Sequence, residues 1–244
     1  YFDGVEAGTT DAVNYHILDD VSKTLDCGGS AARSGEVLNG RIDEVKIYDK
    51  AITPQDIEEA PVVEEPLDTS ENNLLLHWDF EDQNPGKITD VTNNGNEPDD
   101  LRQSEYVTNG KIGRGISFNG AKWKSAKQYR STLATPNEIT IAAWIYQDGA
   151  VSSSQNGGIS KTDTWDLNII AGSDDRHAKY VFIIKDGSGG QKMLTSTAEV
   201  TVDAWHHITA TYDRTALRLY FDGVEAGTTD AVNYHILDDV SKTL

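Results

Sequence analysis

Oxygen-bearing side chains gather where strands are expected to end. Glu81 and Asp82 follow an aromatic residue, and Asp90, Asn94 and Asn96 lie within DVTNNGN at 90–96. Carboxylates, side-chain amides and backbone carbonyls are the ligands that calcium takes, about six to eight oxygens per ion. Asp43 sits in GRIDEVKIYDK, and strict alternation puts it on the same strand face as Val45 and Ile47. An acid on an apolar face needs a cation, a hydrogen-bond cluster or a strand end. The alternative is that Asp43 caps backbone amides and the other acids are solvated in loops.

Other chemistries fare less well. Glycoside hydrolysis needs two carboxylates across a cleft, about 5–5.5 Å apart for retention and about 6.5–9.5 Å for inversion. Glu199 and Asp203 come closest in spacing, but EVTVD runs into a turn and lacks a third acid. No enzyme is expected. His206 and His207 follow Trp205. Neighbours on a strand point to opposite faces, so the two cannot chelate one metal from one face. One packed and one exposed histidine are expected. Asp186–Gly190 is glycine-rich but follows a strand and opens no helix, so it reads as a hairpin loop, not a phosphate cradle. Saccharide binding would use the aromatics near loops, Trp123, Tyr129 and Trp165. Trp123 lies in AKWKSAKQYR, which also reads as an edge strand guarded by lysines.

Composition narrows the partners. The chain has 244 residues with 21 basic and 40 acidic side chains, a net charge of -19. Such a surface repels phosphate, which excludes nucleic acid bound through its backbone charge. Anionic membrane surfaces are disfavoured for the same reason, and no apolar run is long enough to span a bilayer. The single cysteine, Cys27, excludes an internal disulfide framework. It is expected in a strand as a small core hydrophobe.

The ends carry the largest clue. Tyr1–Leu25 and Tyr220–Leu244 are the same letters. Ordinary divergence would have changed exposed positions such as Glu6 and Asp11, so the chain reads as an out-of-phase window on a tandem array of near-identical units. Residues 1–58 are then the last strands of one unit. Residues 59–72 form an acidic, Pro-containing linker with little to bury, and 73–244 are the body of the next unit.

Strand alternation runs throughout, and helical periodicity is nearly absent. Leu74, Leu76, Trp78 and Phe80 share one face. ITIAAWIY at 139–146 is continuous enough to be buried on both faces. Ile208, Ala210 and Tyr212 alternate, as do Leu217, Leu219 and Phe221, which lead into Asp222-Gly223, a type I′ hairpin signal. AITPQDIEE at 51–59 reads as a short turn or helix. Many strands with regular turns and no helical crossovers indicate an all-β, two-sheet antiparallel jelly roll or β-sandwich.

Seven motifs now stand together: HWDFED at 77–82, DVTNNGN at 90–96, GKIGRGISFNG at 110–120, ITIAAWI at 139–145, DAWHHITATYD at 203–213, LRLYFDGV at 217–224 and GRIDEVKIYDKAIT at 40–53. With the last one moved behind Leu244, the order resembles the LamG-like jelly-roll domains of the concanavalin A-like lectin/glucanase superfamily. The resemblance implies two packed antiparallel sheets, frequently a calcium ion, and extracellular or cell-surface use. It places the acidic pair near the DVTNNGN loop, with Asp43 approaching from the closing strand. The E-x-D-x-x-E run of the superfamily's retaining glucanases is missing.

A body at 73–244 without its closing strand leaves an open slot in a sheet. Segment 26–58 supplies the piece, with Ile42, Val45 and Ile47 as the apolar contacts. The donor is a neighbouring repeat in a longer polypeptide, a separate chain bound head to tail, or the chain itself. The expected role is a structural repeat unit of a secreted or cell-surface filament or adhesin, whose partners are further copies of itself. The alternative is a lectin-like, glycan-binding module of a larger extracellular protein.

Overall fold

Turn chemistry and two-residue alternation build almost everything visible. The computed structural model describes residues 25–29, 38–54, 57, 73–82, 87–98, 105–107, 109–119, 124–126, 133, 137–151, 157–186, 190–231 and 234. The strands are β1 (Leu25–Cys27), β2 (Asn39–Tyr48), β3 (Leu74–Trp78), β4 (Glu105–Val107), β5 (Gly115–Asn119), β6 (Lys124–Ala126), β7 (Ile139–Gln147) and β8 (Gly158–Lys161). They continue as β9 (Trp165–Ala171), β10 (His177–Lys185), β11 (Gln191–Thr195), β12 (Val200–Thr201), β13 (Trp205–Tyr212), β14 (Ala216–Phe221) and β15 (Val224–Asp230). Asp222 and Gly223 join the last two with φ of 50° and 82°. A type I′ turn requires that sign at both central residues.

All pairings are antiparallel and fall into two sheets. One has the order β11-β10-β9-β8-β1-β6, with β12 also on β10. The other has the order β15-β14-β13-β7-β2-β5-β4, with β3 also on β2. The early strands are therefore interior strands. β1 lies between β6 and β8. β2 has β7 along one side, and on its other side β5 meets Asn39–Ile42 while β3 meets Val45–Tyr48. Ile42, Val45 and Ile47 are essentially unexposed and join one core with Trp78, Ile116, Ile141 and Ile145. Burying three such side chains stabilises by roughly 1.5–3 kcal/mol each. Within this chain the segment before the body thus fills its sheets. Residues 1–24, which hold all but the last letter of the first copy, and residues 59–72 lie outside the described residues.

The two sheets press their apolar faces together. Leu25, Cys27, Ile159, Leu167 and Phe182 from one meet Leu76, Phe118, Ile208, Leu219 and Phe221 from the other in a single cluster. ITIAAWIYQ is buried on both faces only over Ile139–Ala143, after which Trp144 and Tyr146 turn partly outward. The covering piece is local. Ile57 and Ile52 pack with Tyr48, Leu74 and Ala142 on the face away from the core. Pro54 and Ile57 fall in helical turns, in line with the expectation for AITPQDIEE.

Candidate functional site

The acids do not act as one group. Asp90 is fully buried and takes four donors. His77 N, Thr92 N and Thr92 Oγ1 donate to Oδ1 at 3.1, 3.1 and 2.7 Å, and Asn96 N donates to Oδ2 at 3.2 Å. Asn94 Nδ2 and Asn96 Nδ2 donate to Leu75 O at 3.0 and 2.9 Å, so both amides present their NH2 groups to β3. Asp82 accepts from Thr89 N and Thr89 Oγ1 at 2.7 and 3.0 Å. Glu81 Oε1 accepts from Arg114 N at 2.7 Å. Among the described residues, no three His, Cys, Asp or Glu side chains are grouped so as to hold a metal ion. The expected set of Glu81, Asp82, Asp90, Asn94 and Asp43 is thus divided between separate hydrogen-bond clusters, an arrangement that does not fit one shared cation.

Asp43 corrects the alternation argument. The β2–β7 ladder shifts register between Asp43 and Lys46, and Glu44 has φ of 52°. The extra residue of a β-bulge reverses the alternation. Ile42 and Val45 both face the core, while Asp43 pairs with Trp144 on the opposite face. There it lies under the 109–114 loop. Ile112 N donates to Oδ2 and Glu44 N to Oδ1, both at 2.9 Å. Burial outweighs these amides and, with the nearby Glu44 charge, pushes the Asp43 carboxyl up to about 7.

The same outer face carries two rows of cations and rings, which come from alternation on β2, β7 and β13. In one row Arg41, Tyr146 and Trp205 are register partners in turn. The Arg41 guanidinium lies 3.8 Å from the Tyr146 ring centre and 5.8 Å from that of Trp205. The two rings meet edge-on at 5.6 Å, and Arg41 Nη2 reaches Asp148 Oδ1 at 3.3 Å. In the next row Asp43, Trp144 and His207 are partners. Trp144 and His207 have ring centres 5.2 Å apart, and Lys111 Nζ sits 4.0 Å from the Trp144 ring. Cations over rings at this range contribute about 0.5–2 kcal/mol each. Trp144, Tyr146 and Trp205 are partly exposed. Sequence reasoning missed them, although the spacing of Trp144 with Tyr146, and of Trp205 with His207, is the two-residue signal of a shared face.

Of the aromatics named from the sequence, Trp165 is corrected. It is 1% exposed, because its place in β9, opposite Lys161 and Ile184 in register, turns its ring into the core. Trp123 and Tyr129 lie outside the described residues. Of the two histidines, one is packed as expected and the other is half-buried, not exposed. His207 is buried, while His206 links Asp222 Oδ2 at 2.7 Å to Thr201 Oγ1 at 3.1 Å on the rim of a shallow cavity of about 250 Å³. Glu199 and Asp203 are each held by a different partner. Glu199 accepts from Ser173 Oγ at 2.6 Å, which, with Lys179 beside it, holds its carboxyl low. Asp203 Oδ1 accepts from Gly149 N at 2.8 Å.

A family model, laminin G type, described as the concanavalin A-like lectin/glucanases superfamily, matches residues 1–58 and 119–243. The chain belongs to that superfamily. No curated protein and no solved structure matches it. The match accords with the two antiparallel sheets, and its two blocks leave 59–118 between them. Among the described residues, no helix of this concanavalin A-like chain is long and apolar enough to cross a membrane.

Proposed function

We propose that the chain is an extracellular adhesive module that holds a saccharide on the outer face of its eight-stranded sheet. The observation that carries this reading is the Arg41–Tyr146–Trp205 row. Trp205 supplies an apolar ring against which the C–H face of a sugar can stack. The neighbouring guanidinium has five N–H donors in a fixed fork, able to reach hydroxyl or carboxylate oxygens beside the ring. Membership of a lectin-containing superfamily supports the same class. The test is a glycan array followed by titration of the best hit. Trp205→Ala and Arg41→Ala each weaken that hit by about tenfold or more, a loss of about 1.4 kcal/mol. An array with no hits from folded protein overturns the reading.

A second reading is favoured by the identical ends, Tyr1–Leu25 and Tyr220–Leu244, together with the interior places of β1 and β2. It makes the chain a repeat unit of a secreted or cell-surface filament or adhesin. The strands that precede a body complete either that body or its neighbour, and the acidic 59–72 segment spaces the units. Light scattering on purified chain tests donation between chains. A concentration-dependent ladder of assemblies is expected, and monomers alone overturn it.

A further inference from the structure

Val224–Ala231, together with Tyr234, occupies a defined place at one edge of the eight-stranded sheet. Ala226 is 2% and Ala231 1% exposed, and both belong to the core. Ala226 O accepts from Thr197 N at 2.8 Å and from Thr197 Oγ1 at 2.9 Å. Ala231 N donates to Thr215 O at 2.7 Å, and Tyr212 Oη donates to Tyr234 O. Each described residue that fills this place has an identical counterpart in Val5–Tyr15, and so do the letters between them.

We propose that this place also accepts Val5–Tyr15 of the same chain, so that one strand position has two interchangeable occupants. The inference rests on the duplicated letters and on the contacts of β15, not on either functional reading. The contacts on the body side come from Thr197, Tyr212, Thr215 and β14, none of which lies in Val224–Tyr234. They are the same for either occupant. The exit path is also shared. His16–Thr24 leads from the leading copy to Leu25, the first residue of β1, and repeats the letters of His235–Thr243.

The occupants differ in how they are tethered. The trailing copy is joined to β14 through Asp222-Gly223 alone. The leading copy must close over His16–Thr24. Loop-closure entropy that grows as the logarithm of length favours the shorter tether by roughly tenfold in population. The trailing copy therefore holds the place, and the leading copy takes it when the trailing one is damaged. A second chain offering the same letters competes poorly, because a tether gives the internal copy an effective concentration in the millimolar range.

A charge at the Ala226 position cannot be buried without a partner. Single and paired substitutions in the full chain therefore read out occupancy. Ala7→Asp melts with the parent protein. Ala226→Asp melts only a few degrees lower and assembles no more than the parent by light scattering, because the leading copy replaces the damaged strand. Ala7→Asp/Ala226→Asp falls by a further ~10 °C. The parallel set Ala12→Asp, Ala231→Asp and their double repeats the comparison at an independent buried residue. A single Ala226→Asp or Ala231→Asp variant as unstable as its double overturns the proposal. So does concentration-dependent assembly of the single variants beyond that of the parent, which would make the occupant a second chain.

Discussion

Two fully buried aspartates mark opposite ways of keeping an acid out of water. Asp90 sits in a loop whose backbone folds back onto it, with four donors from His77, Thr92 and Asn96. Asp43 sits on a strand, beside a bulge, and its amides come from Glu44 next to it and from Ile112 and Lys111 of the covering loop. The difference is one of source, since the amides on Asp90 and its added Thr92 hydroxyl come largely from its own loop, whereas Asp43 borrows most of its amides from a loop laid over it. A loop can aim successive N–H groups at one carboxylate, whereas a strand has already given most of its amides to its neighbours. Asp90 therefore organises its corner. Asp43 is tolerated in its corner, and its proton affinity rises.

The largest expected effect comes from breaking the better-supplied corner. Asp90→Ala orphans several buried donors and costs about 4 kcal/mol in urea unfolding; a cost near zero would erase the contrast. Asp43 gives the next effect, through pH. Its folded-state affinity rises from 3.8 to about 7, so between those values the folded state holds more protons than the unfolded chain. Its contribution to stability is then best below about pH 4 and declines as the pH rises to about 7, by up to about 4 kcal/mol. Asp43→Asn, followed by urea unfolding across that range, flattens this slope; an unchanged slope assigns the loss elsewhere. A smaller effect comes from the backbone. Glu44 at φ of 52° and Asn93 at φ of 59° are both left-handed, but asparagine accepts that conformation more readily than glutamate. Glu44→Gly gains about 0.5 kcal/mol even after losing its 2.7 Å contact with His77, and Asn93→Gly changes less. The smallest effect is that of a chelator. With each acid already met by N–H or hydroxyl donors, EDTA shifts the melting midpoint by less than about 1 °C. A larger drop would bring calcium back to this end of the sandwich.

Most of the strand framework was legible from alternation and turn letters. Asp222-Gly223 announced its hairpin, and Leu217, Leu219 and Phe221 announced the core face of β14. The failures occur where period two breaks or where faces are not labelled. The bulge at Glu44 carries no proline or glycine, so nothing in RIDEVK signals that Ile42 and Val45 share a face three residues apart. Trp165 follows a turn and looked exposed by position, but the register of β9 decides which way its ring points. In ITIAAWIYQ the apolar run hid an outward pair, Trp144 and Tyr146, because aromatics read as core until the neighbouring strand supplies Arg41 and Trp205. The acids near strand ends were read as calcium ligands, or as one amide cap among solvated loop acids; Asp90 is instead fully buried, and sequence spacing does not say whether amides or a cation will satisfy such a group.

Cys27, the single thiol, is 2% exposed in β1, the interior strand contributed by the leading segment. A thiol reagent reaches it only when that strand lifts from β6 and β8. The rate of modification in native buffer is thus a clock for strand release, readable without a label and on one chain at a time. It turns the question of how firmly the sandwich holds its early strands into a measurement of kinetics.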